Sequence, residues 1–392
     1  MLKMYAMLIA VFTATQSLSA YTLKAVNSNV PADVEWAVVG AGPAGIVVVG
    51  LLLDLGIDPQ QIAWIDPEFN VGRLSQYPEV PANSTMQSFI DFLLACKTFT
   101  AIQSPNIAAL ANYDPNKEYP LATLIAPLRD ISLALCARVR PIKGALKSLD
   151  FRDDVWQVAV EQTSLTARRI VLATGSYPRS LNYAPGKELS LECALNKSHL
   201  EQVVGPQDTV AVVGSAHSAV LIMKSLSELP VARIINLYHK PLCYAVDMGG
   251  WVMNAAFGLR GIAAEWAKTV LEKNPPANLV RFFNSEAVRK AWLPICTKIV
   301  YAIGFDRNQV PTINGSQQDI SYDTSTGFIA PHLFGIGIAF PEHYIDPMGN
   351  PEYRVGLNSF MAYAQRVMPE WMNKDIQNRY KSFEKFFTIN IL

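Results

Sequence analysis

The sequence predicts an α/β fold of two βαβ units, one nested inside the other, and three observations carry the prediction. An apolar run at residues 35–39 enters Gly40-Ala41-Gly42-Pro43-Ala44-Gly45, a GxGxxG turn, and a second apolar run follows. The same order returns where Thr209-Val210-Ala211-Val212-Val213 leads into Gly214-Ser215-Ala216-His217-Ser218-Ala219. Each unit is followed by an apolar strand that stops at Ala-x-Gly, namely Ala173-Thr174-Gly175 and Ala302-Ile303-Gly304.

The first turn is read from the geometry it needs. Gly40 permits the sharp bend, Gly42 lets the backbone approach a pyrophosphate, and Gly45 lets helix and strand pack closely. The helix starting at Pro43 and Ala44 then offers its amide end to the phosphates of a dinucleotide. Ile62-Ala63-Trp64-Ile65-Asp66 reads as the next strand, with Asp66 placed to bond the ribose hydroxyls. Residues 168–178 form the strand and small-residue turn before the second unit, whose helix extends to about Leu229. Leu333-Phe334-Gly335-Ile336-Gly337-Ile338-Ala339-Phe340 reads as a buried strand and turn, and Val355-Gly356-Leu357 opens an apolar-periodic helix reaching about Val367.

Bulk properties bound the function. The chain has 392 residues, half of them apolar, enough for two or three domains with ample core. Thirty-three basic residues balance 33 acidic ones with no run of like charge, so no nucleic-acid surface is expected and a small-molecule substrate is. Residues 1–20 have the pattern of a signal peptide: Lys3, an apolar run from Met4 to Phe12, and Leu18-Ser19-Ala20 suited to cleavage. That run is shorter than the roughly 20 residues of a membrane span. A leader implies an exported chain, periplasmic or secreted; the other reading is an N-terminal segment packed on the core of a cytoplasmic protein. Without a twin arginine, an exported chain would load its dinucleotide after export. Five scattered cysteines with no CxxC and no His/Cys cluster exclude a dithiol relay and a zinc site, so no metal is expected.

Taken in order, these pieces resemble the two-dinucleotide-binding-domain flavoproteins, the pyridine-nucleotide oxidoreductase superfamily that includes flavin-containing monooxygenases and amine N-hydroxylases. The resemblance runs from about Asp33 to the C-terminus. It implies two Rossmann-like dinucleotide-binding domains: FAD on residues 33–183 and 314–392, NAD(P)H on an inserted domain at 184–313. It places Thr174, Gly175, Gly304, Gly335, Val355 and Gly356 beside cofactor. Relatives often carry an Asp after the glycine of the C-terminal turn; Ile336 stands there, which leaves the flavin to backbone amides.

Gly72-Arg73-Leu74 resembles the turn that flanks FAD in the monooxygenase branch. Residues 77–85 resemble the stretch whose Asn lies beside the reactive edge of the flavin. Asn83 would then bond flavin-bound oxygen or the nicotinamide carboxamide as a catalytic dipole; its other reading is a cap on the helix beginning near Met86. In the second fingerprint Ala216 replaces the middle glycine and Ala219 the third, while Ser215, His217 and Ser218 face phosphate or cap the turn. His239 and Lys240 end the following strand where NAD-preferring proteins have an acid, which favours the 2′-phosphate of NADP over NAD; Lys240 also reads as a solvated surface charge.

The expected function is an FAD-dependent oxidoreductase that takes hydride from NAD(P)H, monooxygenase-like, on a small organic substrate. The FxGxxxH signature of that branch is absent between Gly175 and Gly214, so the alternative is a flavin-binding or sensory protein without turnover. His199 reads as structural, and Trp251, Phe257 and Trp266 as core or pocket wall. Residues 86–120 and 241–261 are the segments expected to wall the substrate pocket.

Overall fold

The structure, a computed structural model, describes residues 34–183, 185–316 and 320–373. The first unit opens with β1 (Val34–Val39), α1 (Pro43–Asp54) and β2 (Ile62–Asp66). Residues 44–52 of α1 are all buried, as befits a helix that is apolar on every side and enclosed rather than laid on a surface. α2 (Met86–Leu94) and α3 (Ala122–Cys136) follow, then β3 (Arg140–Lys143). An antiparallel meander of β4 (Leu146–Arg152), β5 (Val155–Val160) and β6 (Thr163–Leu172) brings the chain back, and β6 pairs in parallel with β1.

The short β7 (Ser176–Pro178) leaves this sheet for the second unit. That unit comprises α4 (Leu191–Leu195), α5 (Lys197–Val203), β8 (Thr209–Val213), α6 (His217–Ser227) and β9 (Arg233–Tyr238). A small hairpin, β10 (Val246–Asp247) and β11 (Val252–Met253), precedes α7 (Gly261–Trp266), β12 (Leu279–Phe283) and β13 (Lys298–Tyr301). Its parallel sheet has the order β12-β9-β8-β13.

The chain returns through β14 (Phe305–Arg307), which pairs antiparallel with β7, and β15 (Thr312–Ile313), which pairs with β4. β16 (Phe328–Ala330) and β17 (Leu333–Gly335) complete a nine-stranded sheet, with β17 on β6. Val310 and Ile313 pack on the apolar layer beneath the first sheet. Hairpin β18 (Glu342–Ile345) and β19 (Pro351–Arg354) leads into α8 (Leu357–Met372), which packs on α1 and α2.

α8 continues past Val367 through Pro369. Its buried stripe of Val367, Met368 and Trp371 persists, and the Trp371 indole donates to the Thr326 carbonyl at 2.7 Å. Tertiary burial there outweighs the hydrogen bond that the proline removes. The signal peptide expected at residues 1–20 falls outside the described residues. Among the described residues no helix is long and apolar enough to cross a membrane, and no side-chain cluster could hold a metal; the five cysteines are free thiols.

Candidate active site

The two glycine turns are built alike. Gly40 has φ +107° and Gly214 φ +129°. A Cβ on either would stand 2.2 Å from a carbonyl oxygen, Ala173 for Gly40 and Ala302 for Gly214. Each fingerprint thus needs its glycine because the Ala-x-Gly strand crosses directly behind it, and only a residue without Cβ fits. Gly45 lies as close, its missing Cβ 1.9 Å from the Gly40 carbonyl, which lets α1 start tightly against the turn. Gly42 by contrast looks into space: a Cβ there would meet only Gly72 Cα, at 4.0 Å.

Around the first turn, two expected cofactor residues have protein partners. Asp66 accepts from the Ala41 amide at 2.7 Å and from the amides of Glu68 and Phe69 at 2.8 and 2.7 Å. A carboxylate offers about four lone-pair sites, so Asp66 orders the two loops and keeps about one site for a ribose. Arg73 donates through Nε to the Ser176 carbonyl at 2.8 Å and through Nη1 to Glu192 at 2.7 Å. It bolts the two units together, and Tyr77 donates to the same carboxylate at 3.1 Å.

In the second unit, the Ser215 hydroxyl donates to the Lys240 carbonyl at 2.8 Å, tying the turn to the end of β9. Lys240 and His239 are exposed there, with His239 Nε2 3.1 Å from the Asn284 amide nitrogen. Ala219 is fully buried in the α6 packing and Ser218 is half-buried beside it. His217 opens α6; burial, and then the charge of Arg260, hold its pKa below the ordinary value. Its Nδ1 is buried with no partner, as is Thr174 Oγ1 at the first crossover. The Gly175 carbonyl accepts from the Asn308 amide and the Asn308 side chain donates to the Thr174 carbonyl at 2.7 Å. Gly304 faces open space.

Between the units lies a cavity of about 700 Å³. It brings together Pro43, Leu74, Asn83, His217, Val355 and Gly356 of the expected residues. Three helices begin on its wall, α1 at Pro43, α6 at His217 and α8 at Leu357, and none has a side-chain cap. Their first amides lack intrahelical partners and carry the positive end of the helix dipole. Three uncapped amide ends converging on one space, with a glycine backbone left open at Gly42 and Gly356, form a receptacle for phosphates and an electron-rich ring.

Several expectations change. Asn83 is not the helix cap: Thr85 caps α2 by accepting from the Ser88 amide, and Asn83 is left exposed on the cavity wall. At Gly335 the space beside the backbone is taken by the Phe340 ring, 2.4 Å from where a Cβ would stand. The neighbouring Gly337 instead approaches α1, 2.7 Å from the Ala44 methyl by the same measure. The Ile336 amide donates to the Leu172 carbonyl at 3.0 Å, so the backbone amides expected to serve flavin at this turn do not include it. His199 is exposed and away from the cavity wall; Trp266 is core, Phe257 is surface, and Trp251 lines the cavity. Arg260, within the 241–261 segment expected to wall the pocket, also lines it, and so do Tyr344 and Arg354, which no motif in the sequence marks.

No family model matches the chain. It is 32% identical over 381 residues to the monooxygenase AgnR1 of Paecilomyces divaricatus, covering 86% of this chain and 97% of that protein. In fold it is similar to the FAD-bound cadaverine monooxygenase DfoA of Erwinia amylovora, with TM-score 0.62 and 11% identity over 88% of this chain and 95% of that one. A bacillithiol disulfide reductase from Staphylococcus aureus matches with TM-score 0.57 and 11% identity over 86% of this chain and 99% of its own. Paired nucleotide turns, the nested sheets and this breadth of identity lead to one conclusion: the chain belongs to the flavin-dependent monooxygenase family that includes AgnR1.

Proposed function

We propose that the cavity seats the flavin of FAD between the amide ends of α1 and α8, and the nicotinamide of NADP from the His217 side. The convergence of three uncapped helix starts on one 700 Å³ space is the observation that carries this reading. When bound, the flavin supplies the electron chemistry, accepting hydride from nicotinamide and then reacting with dioxygen. The chain supplies position, dipoles and exclusion of water. The amides of Pro43's helix and Gly42 hold pyrophosphate, and Thr174 Oγ1 offers a hydroxyl that now has no partner. The first turn of α8, uncapped after Gly356, supports negative charge on the flavin ring.

Asn83 contributes an exposed carboxamide as a fixed donor at the reacting edge. Arg260 and His217 stand together beside the second fingerprint, where nucleotide phosphates come to rest. Lys240, at the end of β9, favours the additional phosphate of NADP.

The test is direct. Purified protein supplied with FAD turns yellow, and anaerobic NADPH bleaches it faster than NADH does. Protein that takes up no FAD, or whose flavin band is unmoved by either nucleotide, overturns the reading.

A further inference from the structure

We propose that the substrate is an organic acid with a flat apolar body, and that Arg354 receives its carboxylate; the inference rests on the monooxygenase reading above. Two cationic side chains, Arg260 and Arg354, line the cavity together with His217, and among the described residues neither Asp nor Glu does. A cationic amine brought from water to such a wall would lose hydration and meet like charge with no carboxylate to receive it. The cavity therefore has the opposite polarity from the one a diamine would require, although the fold is shared with a protein named as a cadaverine monooxygenase.

The two arginines divide by position. Arg260 neighbours His217 at the start of α6, and so belongs to the nucleotide side. Arg354 ends β19, two residues ahead of Gly356 and the start of α8, and so stands on the flavin side. Its guanidinium lies over the Tyr344 ring, 3.4 Å from the centroid. Among the described residues its one ion-pair neighbour is Glu342, whose Oε2 stands 3.9 Å away while its Oε1 accepts from Arg366 at the shorter distance of 2.7 Å.

Arg354 is thus stacked on one face, while among the described residues its fork has one ion-pair partner, at the long distance of 3.9 Å, and no hydrogen bond. A planar fork in that state matches a carboxylate in two-point geometry. Glu352, 4% exposed, accepts from the Ala256 amide at 3.2 Å and fixes the hairpin against the loop that carries Trp251. Phe89, Leu121, Leu124, Trp251 and Phe360 supply apolar wall for the body of the acid.

The experiment titrates flavin-loaded protein with 2-naphthoate, methyl 2-naphthoate and 2-naphthylmethylamine, following the flavin absorbance band. The acid is expected to bind at least tenfold more tightly than the ester, with no response to the amine. Arg354→Gln should bring the acid to the affinity of the ester, and Arg354→Lys should keep part of the difference. A flavin-loaded wild type without acid preference, or a preference that survives Arg354→Gln, overturns this inference alone. Protein that holds no flavin overturns the earlier reading and this one with it. The acid and ester comparison on the wild type needs no variant to fold.

Discussion

At Asn83, position and exposure separate catalysis from stability. The side chain lies on the cavity wall and caps nothing. Asn83→Ala should therefore lower kcat/KM by on the order of 10²-fold, as removal of one fixed donor does, while stability moves by no more than about 0.5 kcal/mol. Steady-state rates beside a thermal melt check both halves; an unchanged rate removes the assigned role. Gly40 is the reverse case, since an added methyl meets the Ala173 carbonyl, a backbone atom that cannot swing aside. Gly40→Ala should cost about 3 kcal/mol or more, read as a fall in Tm with loss of bound flavin.

His217 gives a pH test whose sign is fixed by its surroundings. Burial, then Arg260, depresses its pKa below 6.5 in the folded protein. As pH falls below 6.5 the unfolded chain takes up a proton that the folded one refuses. Stability is then lost until the pH reaches the folded value, and the group is silent above 6.5. Between pH 7 and pH 5 the Tm of His217→Gln should fall less than that of the wild type. Parallel pH profiles would show that His217 is not the buried titrating group.

Among elements, α2 offers the cleanest capping test. Thr85→Ala removes the acceptor of the Ser88 amide and should cost about 1 kcal/mol, measured by denaturant unfolding. The elements also divide by how far the sequence disclosed them. The strands before each glycine turn, and the Ala-x-Gly strands behind them, are legible because each is written in consecutive residues with one conformational demand. Asp66 was legible as a polar end to β2, but its three amide partners come from two loops that only the folded chain brings together. Hairpin β18–β19 was not legible, since Arg354 and Tyr344 acquire meaning only across a cavity whose other walls are far away in sequence. Gly335 shows the same limit from the other side. It ends a strand as the sequence predicts, yet its side is packed by Phe340, five residues on, a contact that the local pattern does not disclose.

For the molecule as a whole, the seam between the units is polar and specific. Arg73 reaches Ser176 and Glu192, Tyr77 joins the same carboxylate, and the Asn196 side chain donates to the Gln76 carbonyl at 2.9 Å. A double-mutant cycle of Arg73→Ala and Glu192→Ala should give a coupling of about 1 kcal/mol, given side chains still partly exposed to water. Additive single effects would show that the bolt carries no load.

The β7–β14 ribbon has one further implication. It joins the nested domain to its host through strands that begin just after Gly175 and Gly304, the same corners that press on Gly40 and Gly214, and the Arg179–Asp306 ion pair rivets its two arms at 2.6 Å. One short ribbon thus sets the position of both corners, so the backing of the Gly40 turn and that of the Gly214 turn are fixed by the same few residues of chain.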